Sequence, residues 1–83
     1  MGDKFKALAD DNRRKILKIL SEGDRASGEV AKKFNIAQPT ISNHLKILTE
    51  ASMVNSKKSQ QNRIYSLNKK RIEQIIAELQ ELL

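Results

Sequence analysis

Eighty-three residues make a single small domain, 1–83, and a chain this short buries little more than half of its unfolded surface, so oligomerisation is expected from size alone. Sixteen Lys and Arg against ten Asp and Glu leave a net charge of +6, which favours a polyanionic partner, nucleic acid ahead of an anionic membrane surface. Without cysteine there is no disulfide or thiolate metal site, and without a signal-peptide pattern or an apolar run near the ~20 residues of a membrane span the expectation is a soluble, cytoplasmic protein with no membrane insertion.

The chain opens with DKFKALA, whose acidic start and apolar Phe5 and Leu8 suit a short helix from Asp3 to Ala9. Asp10 or Asp11 then caps a second helix to about Ser21, with Ile16, Leu17 and Leu20 on one face and Gly23 placed to end it. A third helix is expected from about Ser27 to Phe34, burying Val30, Ala31 and Phe34, with Asn35 as the turn residue. The fourth starts at Gln38, with Pro39 in the first turn, where a missing N–H costs nothing. Two helices joined by so short a turn form a helix-turn-helix pattern.

After Glu50, MVNSK and RIYSL flank the polar tip SQQN and read as a two-stranded hairpin without the usual turn glycine. Asn68 can cap a last helix from Lys69 to Leu83, in which Ile72, Ile75, Ile76, Leu79, Leu82 and Leu83 form one apolar stripe. The expected fold is therefore mainly α with a small β-hairpin, a winged helix-turn-helix of five helices plus a two-stranded wing.

Charge is uneven along this order. Residues 1–24 carry six basic and five acidic groups, residues 25–71 ten and two, and residues 72–83 none and three. The net values of +1, +8 and −3 place the excess on the helix-turn-helix and hairpin, where phosphate contacts would fall. Lys32, Lys33, Lys57, Lys58, Lys69, Lys70 and Arg71 could be ordinary solvated surface, but such a surface would have carboxylates interspersed, and only Glu29 and Glu50 occur there.

On the fourth helix, Ile41, Leu45 and Leu48 recur at i, i+4 and i+7 as an anchor, while Gln38, Thr40, Asn43 and Lys46 project elsewhere. Gln and Asn can bond adenine in bidentate fashion, Thr can meet a thymine methyl, and Lys can take guanine or phosphate. His44, the lone histidine, adjoins the anchor and is expected half-buried and hydrogen-bonded rather than catalytic or metal-bound. No nucleophile–base pair, carboxylate pair or phosphate loop appears, so neither an enzyme nor a cofactor is expected. A competing possibility is an interaction module that has lost DNA binding and docks a partner through its apolar last helix.

The segments ALADDNRRKILKIL, SGEVAKKFNIAQPTISNHLKILTEASMV and RIYSL together resemble the ArsR-type winged-helix repressors of bacteria, over about residues 4–68. The resemblance implies a homodimeric repressor on a palindromic double-stranded operator. It implies that Gln38, Thr40, Ser42 and Asn43 approach bases or nearby phosphates, and that Lys57, Lys58 and Arg63 form a wing on the flanking DNA. It further implies a dimer interface of Phe5, Leu8, Ile72, Ile75, Ile76, Leu79 and Leu82 through the first and last helices; the sequence supports this independently, since a winged core does not need both terminal stripes. The metal-sensing Cys-x-Cys of relatives aligns with Ala26 and Gly28, and the last helix has no Asp or His, so control through expression level or a regulatory protein is expected instead of a metal. Ala26 and Ala37 stand where relatives cap the third and fourth helices with Thr or Ser, each loss costing ~1 kcal/mol unless a neighbour such as Ser27 compensates.

Overall fold

The computed structural model describes residues 3–83 and runs α1 (Lys4–Leu8), α2 (Asp11–Ser21), β1 (Arg25–Ala26), α3 (Ser27–Lys32), α4 (Gln38–Glu50), β2 (Val54–Ser59), β3 (Asn62–Leu67) and α5 (Lys69–Gln80). Side chains set three of the helix starts. Asp3 accepts from the N–H groups of Phe5 and Lys6, Asp10 from those of Asn12 and Arg13, and Asn68 from that of Arg71. Asp10, not Asp11, is thus the cap of α2. Gly23 closes the same helix, donating its N–H to the Leu20 carbonyl at φ +152°, a conformation that L-residues avoid.

The end of α4 is a Schellman turn: Met53 N–H bonds to Leu48 O and Ser52 N–H to Thr49 O, with Ser52 left-handed at φ 64°. Asn68 ties this turn to α5, donating its backbone N–H to Met53 O and its amide to Ser52 O, both at 2.9 Å. Arg71 adds a bond from Nε to the Ala51 carbonyl. Helices α4 and α5 are therefore joined by backbone carbonyls that would otherwise be unsatisfied.

One core holds the elements together. Ile16 and Leu20 of α2, Val30 of α3, Ile41, Leu45 and Leu48 of α4, Met53, Val54 and Ile75 are all buried, and no polar or charged residue among those described is. With no buried polar side chain to align, placement rests on apolar volume and on the polar contacts at helix ends.

Four details depart from the sequence expectation. The hairpin gains a third strand, because Arg25 and Ala26 pair antiparallel with Tyr65 and Ile64, giving the order β1-β3-β2. Helix α3 ends at Lys32, so Phe34 packs from a turn. Helix α5 ends at Gln80, leaving Leu82 and Leu83 beyond it. The fourth is in α1, where Ala7, not singled out from the sequence, is the buried residue; Phe5, exposed, and Leu8, half-covered, are left available as expected of a pairing face.

Candidate nucleic-acid interface

Helix α4 divides its residues between core and surface, with Ile47 half-buried within the angular range of the polar row. Its three anchors are fully buried, and Gln38, Thr40, Ser42, Asn43 and Lys46 are all exposed. At about 100° per residue the polar row from Ser42 through Lys46 and Asn43 to Thr40 sweeps roughly 160° of the helix surface opposite the anchors. Gln38 stands apart: it falls closer to the anchored side, and its Nε2 reaches Ser27 Oγ at 3.5 Å, across the start of α3.

The two missing caps are handled differently. Ala26 has no side-chain acceptor for the first-turn N–H groups, and only the reverse half of a capping box is present, Glu29 Oε1 receiving the Ala26 N–H at 3.1 Å. A carboxylate there also lowers the attraction of that helix start for phosphate. At Ala37 no side chain substitutes; the helix begins with Thr40 and Ile41 N–H groups both directed to the Ala37 carbonyl, and Pro39 removes one orphan donor.

Strand register sorts the wing cations. Lys58 lies directly opposite Arg63, whereas Lys57 lies opposite Ile64, so Lys58 and Arg63 share one face and Lys57 occupies the other. Arg63 also donates from Nη1 to Ser56 Oγ at 3.0 Å. On the far edge of β3, Arg25 is opposite Tyr65 and so joins the Lys58 and Arg63 face. Sequence patterning missed Arg25, because a two-residue strand leaves no periodic signal; only the pairing reveals its neighbours.

Not all of the basic middle segment belongs to this surface. Arg71 is engaged with Ala51, as described above, and Lys33 lines a shallow depression with Lys15 and Lys18 of α2 around Ile19 and Phe34. His44 is half-buried, and its Nδ1 lies 3.4 Å from Arg13 Nη1 of α2, in keeping with the packing role expected for it. The nearby Asp10 carboxyl is held below its ordinary value, chiefly by the N–H of Arg13, with the Asn12 N–H and the Arg13 charge adding to this against partial desolvation.

The expected pairing face divides as well. Lys4 of α1 forms an ion pair with Glu78 of α5, which links the two terminal helices. Phe5, Ile76 and Leu79 are 44%, 48% and 46% exposed, and Leu82 is 79% exposed. Ile75, expected at an interface between copies, is instead buried in the core, because α5 needs one apolar position to dock on its own domain. Leu8 and Ile72 pack partly against that core and also border an apolar groove of about 380 Å³ with Leu17, Leu67, Ile76 and Leu79.

Residues 10–56 match the family model for bacterial regulatory proteins of the arsR family. The transcriptional repressor SdpR of Bacillus subtilis is 46% identical over 68 residues, spanning 82% of this chain and 76% of that protein. A crystal structure of a possible transcriptional regulator for arsenical resistance superposes with a TM-score of 0.90 at 28% identity, covering 99% of this chain and 85% of that one. The homodimeric winged helix-turn-helix DNA-binding domain of Mb0332 from Mycobacterium bovis does so with a TM-score of 0.80 at 25% identity, covering 95% and 73%.

Proposed function

The chain belongs to the arsR family of bacterial regulatory proteins, and on that premise we propose that it is a homodimeric repressor reading a palindromic double-stranded operator through α4, in the cytoplasm. It is a transcriptional regulator rather than an enzyme. The observation that carries the reading is the division of α4: Ile41, Leu45 and Leu48 are consumed inside the domain and Ile47 is half-buried, while Thr40, Ser42, Asn43 and Lys46 remain outward with no protein partner among the described residues. Hydrogen-bonding side chains held on an anchored helix suit base edges in a major groove, and the cations of the wing suit the adjacent phosphates. Phe5, Ile76, Leu79 and Leu82 supply the apolar face for the second copy, with Leu8 and Ile72 at its floor. Two copies related by a two-fold axis would present α4 to half-sites about one helical turn, ~34–36 Å, apart.

Control then falls to the amount of repressor or to a regulatory protein. Ala26, at the start of α3, and Gly28, in its first turn, offer no metal ligand, which supports that reading. Selection of bound sequences from a random duplex library tests the whole reading: a palindrome is expected, with affinity falling steeply between about 50 and 200 mM salt. Weak binding that is flat with salt would overturn it in favour of a protein-docking module.

A further inference from the structure

Arg13 occupies an unusual position. It is the third residue of α2, inside the first turn, where the helix dipole disfavours a cation. Three of its five N–H groups are nonetheless engaged elsewhere: Nε donates to Ala7 O at 2.7 Å, Nη2 to Lys6 O at 3.0 Å, and Nη1 approaches His44 Nδ1 at 3.4 Å. One planar group thus touches the C-terminal carbonyls of α1 and the flank of α4. The Asp10 carboxylate is held beside it by the N–H groups of Asn12 and Arg13. Because a guanidinium only donates, the third contact requires an unprotonated Nδ1 and leaves the imidazole proton on Nε2.

The contact matters for how α4 is held. Ile41, Leu45 and Leu48 lie close to one line along the helix, and apolar packing is non-directional, so it resists lifting better than rolling. His44 projects about 60° from that line, where a directional contact opposes roll. A roll of about 20° displaces a side-chain tip by roughly 2 Å at the helix's ~5–6 Å outer radius, enough to break a base-edge hydrogen bond.

We propose that Arg13 and His44 form a bracket that sets the rotational position of α4 against α1, making both of them positioning residues for DNA reading although neither belongs to the exposed polar row. This rests on the DNA-reading function proposed above. The bracket also connects the element that carries Phe5, on the pairing face, to the element that carries Thr40 and Asn43.

The test compares His44→Leu, which fills space but accepts nothing, with His44→Asn, whose Oδ1 can replace Nδ1, and adds Arg13→Met and the double variant. Binding is measured to the selected operator and to random duplex. His44→Leu and Arg13→Met are expected to bind the operator about 10-fold more weakly and random duplex within about 3-fold of the parent, since phosphate contacts do not depend on helix roll. His44→Asn should recover most of the loss, and the double variant should be no worse than either single one, as expected for partners in one contact. Should Arg13→Met fail to fold, His44→Leu against His44→Asn still decides. Equal losses on both duplexes, parent-like operator binding by His44→Leu, or additive losses would overturn the bracket. In the free protein, 15N shifts of the imidazole should report hydrogen on Nε2, and a proton on Nδ1 would also overturn it. If the parent bound no duplex the DNA reading itself would fall, and the bracket's proposed role with it, whatever the imidazole shifts show.

Discussion

Helices α4 and α5 are nearly equal in length, 13 and 12 residues, and both carry an apolar stripe, yet they end in opposite conditions. Helix α4 buries Ile41, Leu45 and Leu48 completely and turns a polar surface outward. Helix α5 buries only Ile75 and leaves Ile76 and Leu79 about half exposed, as is Phe5 of α1. One helix is satisfied by its own chain and has hydrogen-bonding groups to spare; the other has apolar surface to spare. The type of residue each leaves over indicates the partner that completes it, water-compatible base edges in one case and a second apolar face in the other.

Leu45→Ala should break the contrast most severely, costing about 3 kcal/mol in chemical denaturation at every protein concentration, because it opens a cavity in the core. Leu79→Ala should instead lower stability only where the protein is dimeric, so its effect grows with concentration. The double change Ile76→Glu with Leu79→Glu is expected to give a folded monomer by sedimentation and circular dichroism, with operator affinity reduced about 100-fold through loss of bivalent binding. Asn43→Ala should cost roughly 1–3 kcal/mol at the operator in a binding titration and relax base preference at one position. Gln38→Ala should cost less than Asn43→Ala, since that amide already leans on Ser27.

Smaller effects sharpen the comparison at the ends of the same helices. Ser52→Gly should stabilise the free protein by about 0.5–1 kcal/mol, as it relieves a left-handed serine after α4 while keeping the Schellman bonds. Asp10 gives the pH-dependent case. Its folded value is lowered, so its contribution is complete above the ordinary value of 3.8 and is lost as pH falls through the lower folded value. Asp10→Asn retains a cap acceptor and should remove that component from an acid-unfolding profile.

Much of this was legible locally. Asp10, Pro39 and Asn68 mark helix starts through interactions that span three or four residues, and the i, i+4, i+7 anchors of α4 follow from helical period alone. What the sequence hid depends on contacts between distant segments. The strand at Arg25 and Ala26 exists only because β3 lies beside it, and its face assignment makes Arg25 a neighbour of Lys58 and Arg63. Ile75 resembles its stripe-mates until the docking of α5 buries it, and Leu82 appeared to continue a helix that stops at Gln80. Net charge by segment located the basic region but could not separate Arg71, bound to a carbonyl, from the wing cations that lack carboxylate partners among the described residues. Arg13 did leave a signal, a cation in the first turn of a helix, which asks for a partner outside it.

The wing holds Lys58 and Arg63 directly opposite one another, on a molecule that already carries a net charge of +6. Like charges across a ladder repel, and the repulsion is present while the protein is free and relieved when an anion lies over both. Added salt therefore acts with opposite sign on two equilibria of the same protein. By screening the pair it should raise the unfolding midpoint of the free protein, and by the same screening it should weaken the complex with DNA. Folding and binding then draw on one electrostatic reservoir, so the ionic strength that best preserves this protein in storage is one at which it grips its operator least.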